Sequence, residues 1–336
     1  PVKAAMEPLL AELLQASDDA MRITAITAAG KLGIEALAQP INELFKNGQN
    51  DEVKIAALKA LDNIDRDLFT QAITAAISMK SSPLRSEALG LLSEIDYPAD
   101  GAVALYSTIL EDGSTREKQT VLKALGEMKA PAANTVLGTK LEAYKAGSLD
   151  PDLELELVEA LEESESAELM ANLNAHWDAK SQEDPLAPYR MALQGGNPFR
   201  GRRIFNNDQA AQCIRCHTVF EFGGEVGPSL ANIGHELDKE HLLQALVLPS
   251  ARLAPGFGMA TLTLQNDEIV GGVIDQEDEN TITLRLPGDE KKTFQKADLK
   301  DRQNIPSSMP PMGDVLSKRQ LRDLVSFLST LTEDET

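Results

Sequence analysis

A chain of 336 residues, 42% of them hydrophobic and 25% charged, has room for two or three domains that each bury a core. Its formal charge of −21 argues against a nucleic-acid or anionic-membrane partner, since phosphate binding requires Lys and Arg, and favours a solvated surface with basic or neutral partners. Aromatic residues make up only 4%, which suits Ala- and Leu-rich helices better than a β-sandwich. No apolar run approaches the ~18 to 20 residues of a membrane span. The chain begins Pro1-Val2-Lys3 without a basic-then-apolar leader, as expected of a piece of something longer whose targeting signal would lie upstream.

The first ~180 residues repeat themselves. Basic residues Arg22, Lys54, Arg85 and Lys118 recur at intervals of 32, 31 and 33 positions. Each precedes a small or apolar pair: Ala28-Ala29, Ala60-Leu61, Leu91-Leu92, Ala124-Leu125. A degenerate fifth unit carries Glu154 in the basic slot and Ala160-Leu161 after it. Within each unit apolar residues fall at i, i+3, i+4 and i+7, the helical period. Turn-forming clusters at 17–19, 47–51, 81–83 and 112–114 separate the units. Helix pairs at this period predict an α-solenoid over 1–185. The order apolar, basic, two variable, then Ala or Val resembles the second helix of HEAT repeats, and the Trp/Leu/Gly/Tyr pattern of tetratricopeptide repeats is absent.

Periodicity lapses from Ser181 to Pro198, where Gly195-Gly196-Asn197-Pro198 ends a short apolar piece, so a second domain is expected over 195–336. Helix resumes at Gly201 to Phe205. Both cysteines of the chain then appear in Cys213-Ile214-Arg215-Cys216-His217. C-x-x-C-H is the attachment signature of a c-type haem: two thiols can each form a thioether to a vinyl group, and the adjacent His lies under the iron. A zinc site would want further ligands, and His176, His235 and His241 have no paired spacing. A thioredoxin-like pair would want a βαβ context.

Farther on, residues 223–228 read as loop, and Glu236 to Leu248 as a helix closed by Pro249. Alternating, β-branched runs at 259–264, 269–275, 281–286 and 292–295 predict a small antiparallel sheet of three to five strands, an insertion over about 258–300. A Pro- and Met-rich loop from Ile305 to Gly313 follows, then a helix from Ser317 to Leu331 with Ser317 as N-cap. His217 and Met309 are 92 residues apart, and removing the sheet brings this down to about 50, a comfortable span for a small cytochrome. Met309 is therefore the expected second axial ligand, with Met312 its rival. Gly201, Phe205 and Phe327 are candidates for the contact between the first and last helices.

From 195 to 331 the motifs appear in an order that resembles the Pirellula/Verrucomicrobium-type haem-binding domain, a class I cytochrome c helical fold with a β insertion. They are Gly195 to Pro198, Gly201 to Phe205, Cys213 to His217, Gly227-Pro228 with Leu230, Leu248-Pro249-Ser250, Pro255-Gly256-Phe257, Ser308-Met309-Pro310 and Leu316 to Leu324. The resemblance implies one covalent haem c, held by Cys213 and Cys216 with His217 and Met309 on the iron. It also implies that the Pro228 carbonyl accepts the hydrogen bond of the His217 Nδ1 and that Leu230 packs on the ring; Phe205, Ile233 and Met312 complete the expected haem contacts. The fold class expected is thus mainly α, a HEAT-like solenoid followed by a cytochrome module. The implied role is electron transfer outside the cytoplasm, in the periplasm, between a redox protein or an upstream dehydrogenase domain and an acceptor. The one departure in the sheet is Asp267-Glu268 where the family has an Asp-Gly turn.

Overall fold

The computed structural model describes residues 2–95, 97–220, 222–254 and 256–332. Pro255, one residue of the motif string above, lies outside them. The chain is mostly helical with a small antiparallel sheet, and it divides into two compact units, Pro1–Asn174 and Ala175–Thr336.

The first unit is a stack of helix pairs: α1 (Val2–Leu13) with α2 (Asp19–Leu32), α3 (Ala38–Asn47) with α4 (Asp51–Ile64), α5 (Arg66–Ser78) with α6 (Ser82–Glu94), α7 (Ala99–Asp112) with α8 (Thr115–Met128), and α9 (Pro131–Lys145) with α10 (Pro151–Glu163). Second helices pack on second helices, α2 on α4, α4 on α6, α6 on α8 and α8 on α10. The turn clusters that separate repeats in the sequence supply the caps. Asp18, Asn50, Ser81 and Asp150 each accept a backbone N–H at the start of the helix that follows, and Ser114 closes a capping box with Glu117. Helix α11 (Ala167–Ser181) contains the division between units.

Small residues in the repeats set how closely neighbours approach. A Cβ on Gly30 would lie 2.8 Å from the Ala60 Cα, and one on Gly126 would lie 2.7 Å from the Ala160 carbonyl oxygen. Polar side chains bridge successive repeats at the same level of the stack. The Asn50 amide donates to Asp19, the Ser81 hydroxyl to Asp51, the Arg85 guanidinium to Glu117, and the Gln119 amide to the Asp152 carbonyl. Two of the recurring basic residues therefore have visible work: Arg22 pairs with Asp19 in its own helix and Arg85 reaches the next repeat. Glu154, which replaces the basic residue in the fifth unit, is half-buried, and burial raises its pKa.

The second unit begins earlier than the expected 195. A 3₁₀ helix, Ala187–Leu193, buries Leu186 and Ala192 in the same apolar cluster as the later helices. Helix α12 (Pro198–Asn207) opens on Asn197, whose side chain accepts the amides of Phe199 and Arg200, with Pro198 in the first turn. A two-residue strand β1 (Thr218–Val219) turns back on β2 (Phe222–Gly223), a short hairpin that precedes the expected loop of 223–228 and shares only Gly223 with it. The helix expected from Glu236 to Leu248 starts later, as α14 (Lys239–Val247), and a separate turn, α13 (Ile233–Glu236), ends where it was expected to begin. The break falls where Asp238 leaves the helix to cap α14 through the His241 amide.

The sheet runs β3 (Met259–Leu264), β4 (Ile269–Glu277), β5 (Thr281–Arg285), β6 (Lys291–Gln295) and β7 (Leu299–Ile305), in spatial order β6-β5-β4-β3-β7, all antiparallel. It has its own core of Ala260, Leu262, Ile274, Ile282, Leu284 and Phe294. The insertion thus ends at 305, not 300. Strand β7 pairs with β3 so that Met259 opposes Ile305. Chain entry and exit are therefore neighbours, and the sheet can be added to the helical unit without prising it open. The last helix, α15 (Lys318–Leu328), starts at the expected Ser317 with a capping box to Gln320. It packs on α12, α14 and the 3₁₀ helix.

Candidate functional site

The Cys213–Arg215 segment is a single 3₁₀ turn reached through Gln212, whose φ of 47° lies in the left-handed region. Asp208 ends α12 and accepts the amides of Ala210 and Ala211, which steers the chain out of the helix and into this turn. The His217 amide donates back to the Cys213 carbonyl at 3.0 Å, so the pentapeptide is wound on itself. Cys213 is partly buried against the helical core, whereas Cys216 is exposed. Burial pushes the Cys213 thiol up to about 11, with smaller contributions from nearby Asp208 and Cys216. It is a neutral S–H at physiological pH.

The His217 ring is fixed from two sides. Its Nδ1 is 2.9 Å from the Pro228 carbonyl oxygen. A carbonyl oxygen can only accept, so Nδ1 carries the proton, and neutral His217 keeps its lone pair on Nε2. Gly227 lies flat against the ring: a Cβ there would come 2.6 Å from Cε1 and 2.8 Å from Nδ1. The intervening chain is held by backbone bonds from Gly224 to Ile214, Gly227 to Cys216 and Leu230 to Thr218. Gly224 has no room for a side chain either, since a Cβ would collide with the Arg215 carbonyl oxygen.

Phe205 and Met312 are buried in the apolar cluster built from α12, α14 and α15. Leu230, Ile233, Met309, Cys213 and Ile214 pack against that cluster and are partly exposed. Phe205 stacks at a tilt on Phe327, ring centroids 5.8 Å apart, which joins the first and last helices as expected. Phe205 and Met312 therefore share one core, with Cys213, Met309, Leu230 and Ile233 at its edge, while Cys216 is exposed.

The methionine loop is tied down by serines. The Ser250 hydroxyl accepts the Ser307 amide at 3.0 Å, and the Ser307 hydroxyl accepts the Met309 amide at 3.2 Å. Ser250 belongs to the Leu248-Pro249-Ser250 string, and the bond gives that string a role which its sequence did not disclose. Two further residues were not identifiable as site-forming from sequence. Tyr189 stands over Gly313, where a Cβ would lie 2.5 Å from its hydroxyl oxygen. Asp323, buried in α15, accepts the Asn197 amide at 2.7 Å and so anchors the start of α12.

The donor set fits a covalently held haem on three counts: two free thiols one turn apart, an imidazole whose Nε2 lone pair is left open, and an apolar cluster with Met312 inside it and Met309 at its edge. Among the described residues there is no group of three or more His, Cys, Asp and Glu side chains that could hold a metal ion. No helix among them is long and apolar enough to cross a membrane.

Residues 3–62, spanning α1 to α4, match the family described as HEAT repeats. No haem-binding family is found for the chain. No curated protein matches it. The N-terminal part of the chain is therefore HEAT-like, in agreement with the repeat period read from the sequence.

Proposed function

We propose that the second unit binds one haem c and carries single electrons, with Cys213 and Cys216 as the covalent anchors and His217 and Met309 as the iron ligands. The group, when bound, supplies a one-electron couple. The chain's own residues do the rest. The Cys213 thiol, protonated and half-buried, has an S–H to add across a vinyl group, and Cys216 offers a second at the surface. Pro228 holds His217 in the tautomer that can ligate and strengthens its donation. Ser307 and Ser250 hold the Met309 loop in place. Phe205, Leu230, Ile233 and Met312 exclude water from the pocket.

The observation that carries this reading is the 2.9 Å approach of His217 Nδ1 to the Pro228 carbonyl in a C-x-x-C-H motif. Met ligation raises the potential relative to bis-His, which suits accepting electrons from an associated or upstream dehydrogenase domain and passing them on. The chain is then an electron-transfer module, and covalent haem attachment places it in the periplasm or another exported compartment. The HEAT-like repeats would present the haem unit to its redox partner.

The test is a pyridine haemochrome assay on protein made with a c-type maturation system. The expected result is one covalent haem per chain, with both cysteines protected from alkylation. Protein that leaves the maturation system without haem, its thiols still reactive, would end the proposal. Rapid and complete CO binding by the ferrous protein at neutral pH would instead replace the closed His/Met carrier with a haem enzyme or gas sensor whose sixth ligand is labile.

A further inference from the structure

The chain carries 53 acidic residues against 32 basic ones, yet around the cysteines the balance reverses. Between Pro198 and His217 lie Arg200, Arg202, Arg203 and Arg215 with a single acid, Asp208. The carboxylate of Asp208 is already occupied by the Ala210 and Ala211 amides and the Gln320 side chain. All four arginines are exposed. Six other arginines, Arg22, Arg66, Arg85, Arg190, Arg285 and Arg302, sit in ion pairs; Arg116 and Arg252 stand singly along the chain. Among the described residues no ion pair includes any of these four.

The helix turns them outward as a set. Gly201 and Phe205 face α15 and are buried, which leaves Phe199, Arg200, Arg202 and Arg203 on the solvent side of α12. Helix α12 rests on the Cys213–Arg215 turn, and strand β2 rests on the same turn. The exposed Cys216 follows directly on that turn, which adjoins both α12 and the hairpin. Exposed apolar side chains accompany the charges on both elements: Phe199 in α12 at 81%, Phe222 in β2 at 74%, and Val226, four residues after Phe222, at 70%.

Three guanidinium groups within one turn of α12, with a fourth on the adjoining turn, repel one another, and this chain has carboxylates in excess that could have neutralised them. The guanidinium fork matches carboxylate oxygens two at a time. Arginine mixed with exposed aromatic rings is the composition of the buried centre of a protein–protein interface, where such residues carry most of the binding energy. A simple polyanion would reward the charges and leave the rings in water. At physiological salt the screening length is about 8 Å, so at contact the four arginines act against the two acids of 218–226, Glu221 and Glu225, and not against the charge of the whole chain.

We propose that the outer face of α12, with Arg215 and the hairpin, is the docking surface for a protein partner that presents a cluster of carboxylates with an apolar centre. That the docked partner would exchange electrons there rests on the function proposed above; the docking itself does not.

The full chain without haem tests it, using synthetic polymers as probes. Calorimetry at low ionic strength should show binding of a poly(Glu,Tyr) copolymer, more tightly than poly-L-glutamate of equal length. The variant Arg200→Glu/Arg202→Glu/Arg203→Glu should lose at least about tenfold in affinity for both, and salt should weaken both. Lys291→Glu/Lys292→Glu, on the far edge strand β6, should bind as the parent does. Phe199→Ala/Phe222→Ala should erase the preference for the copolymer. Circular dichroism of each variant confirms that these exposed substitutions leave the fold intact. The proposal is overturned if the parent binds neither probe, if the arginine and lysine variants lose equally, or if inorganic polyphosphate binds more tightly than the copolymer. Because the probes meet the chain without haem, failure here leaves the haem reading standing, and failure to take up haem leaves this surface standing.

Discussion

Gly201 in α12 lies directly on the backbone of Asp323 in α15, so closely that a Cβ would collide with the Asp323 carbonyl oxygen and stand 2.6 Å from the Phe327 Cβ. The Asp323 carboxylate, one turn away in effect, holds the Asn197 amide at the start of the same helix. The crossing of first and last helices is therefore fixed at a point where nothing larger than hydrogen fits.

Gly201→Ala pits two effects against each other. Alanine favours helix over glycine by up to about 1 kcal/mol. Forcing a methyl into a filled crossing costs about 3 kcal/mol, and the backbone atoms it meets cannot swing aside. The overlap wins. Hydrogen exchange should show reduced protection of α12 and α15 amides by roughly this amount, with α1 to α10 unaffected; unchanged protection would mean that the helices can separate freely.

In the repeats, Glu117 should give a distinct acid dependence. Its carboxylate is buried, and burial alone would raise its pKa, but the Arg85 guanidinium and the Ser114 hydroxyl and amide outweigh this and hold it at about 2 against an ordinary value of 4.5. A depressed pKa stabilises the folded form fully above the unfolded value and loses that contribution as pH falls through the folded one. The contribution is on the order of 3 kcal/mol. Glu117→Gln should therefore be less stable than the parent above pH 4.5, and the difference should close as pH falls toward 2. A gap independent of pH in denaturant titrations would show that charge plays no part.

Several of these features were legible in the sequence because local physics dictates them. The cap residues Asp18, Asn50, Ser81, Ser114 and Ser317 announce helices in their own chemistry, and the 31 to 33 residue interval follows from them. The thiols and His217 lie within five consecutive residues, so their proximity needed no fold. Strand β7 escaped because an edge strand is half-paired and mostly exposed: Lys300, Asp301, Gln303 and Asn304 offer no alternation of burial to detect. The domain boundary was misread for a related reason. Leu186, Tyr189 and Ala192 follow the turn spacing of a 3₁₀ helix rather than the α-helical period, so the segment looked like linker although it packs into the core of the second unit. The serine relay from Ser250 to Met309 joins residues 57 apart in its first step, and no local pattern encodes it.

The early start of the second unit has a measurable consequence. Leu186 is 4% exposed in the core that also holds Met312, Leu321 and Leu324. Leu186→Ala in the full chain should cost about 3 kcal/mol through lost burial and the cavity left behind. The loss should appear as reduced exchange protection in α14 and α15, although the substitution lies nine residues before the expected domain start at 195. Protection that falls only in residues next to 186 would restore the linker reading of the segment.

Met309 and Met312 can be separated by two independent readouts. Without haem, Met312 is 2% exposed in the core, so Met312→Ala should destabilise the second unit by about 3 kcal/mol, whereas Met309, at the margin of the same cluster, should cost under about 1 kcal/mol. With haem attached, the order should reverse. Met309→Ala should abolish the far-red absorption band of Met–Fe(III), because its loop is the one held by Ser307 and Ser250, and Met312→Ala should leave the band in place. Ser307→Ala should fall between, keeping the ligand while loosening the loop that carries it, and so weaken the band at high temperature before the fold melts. If Met312→Ala removes the band and Met309→Ala spares it, then Met312 leaves the core on haem binding and the axial role passes to it.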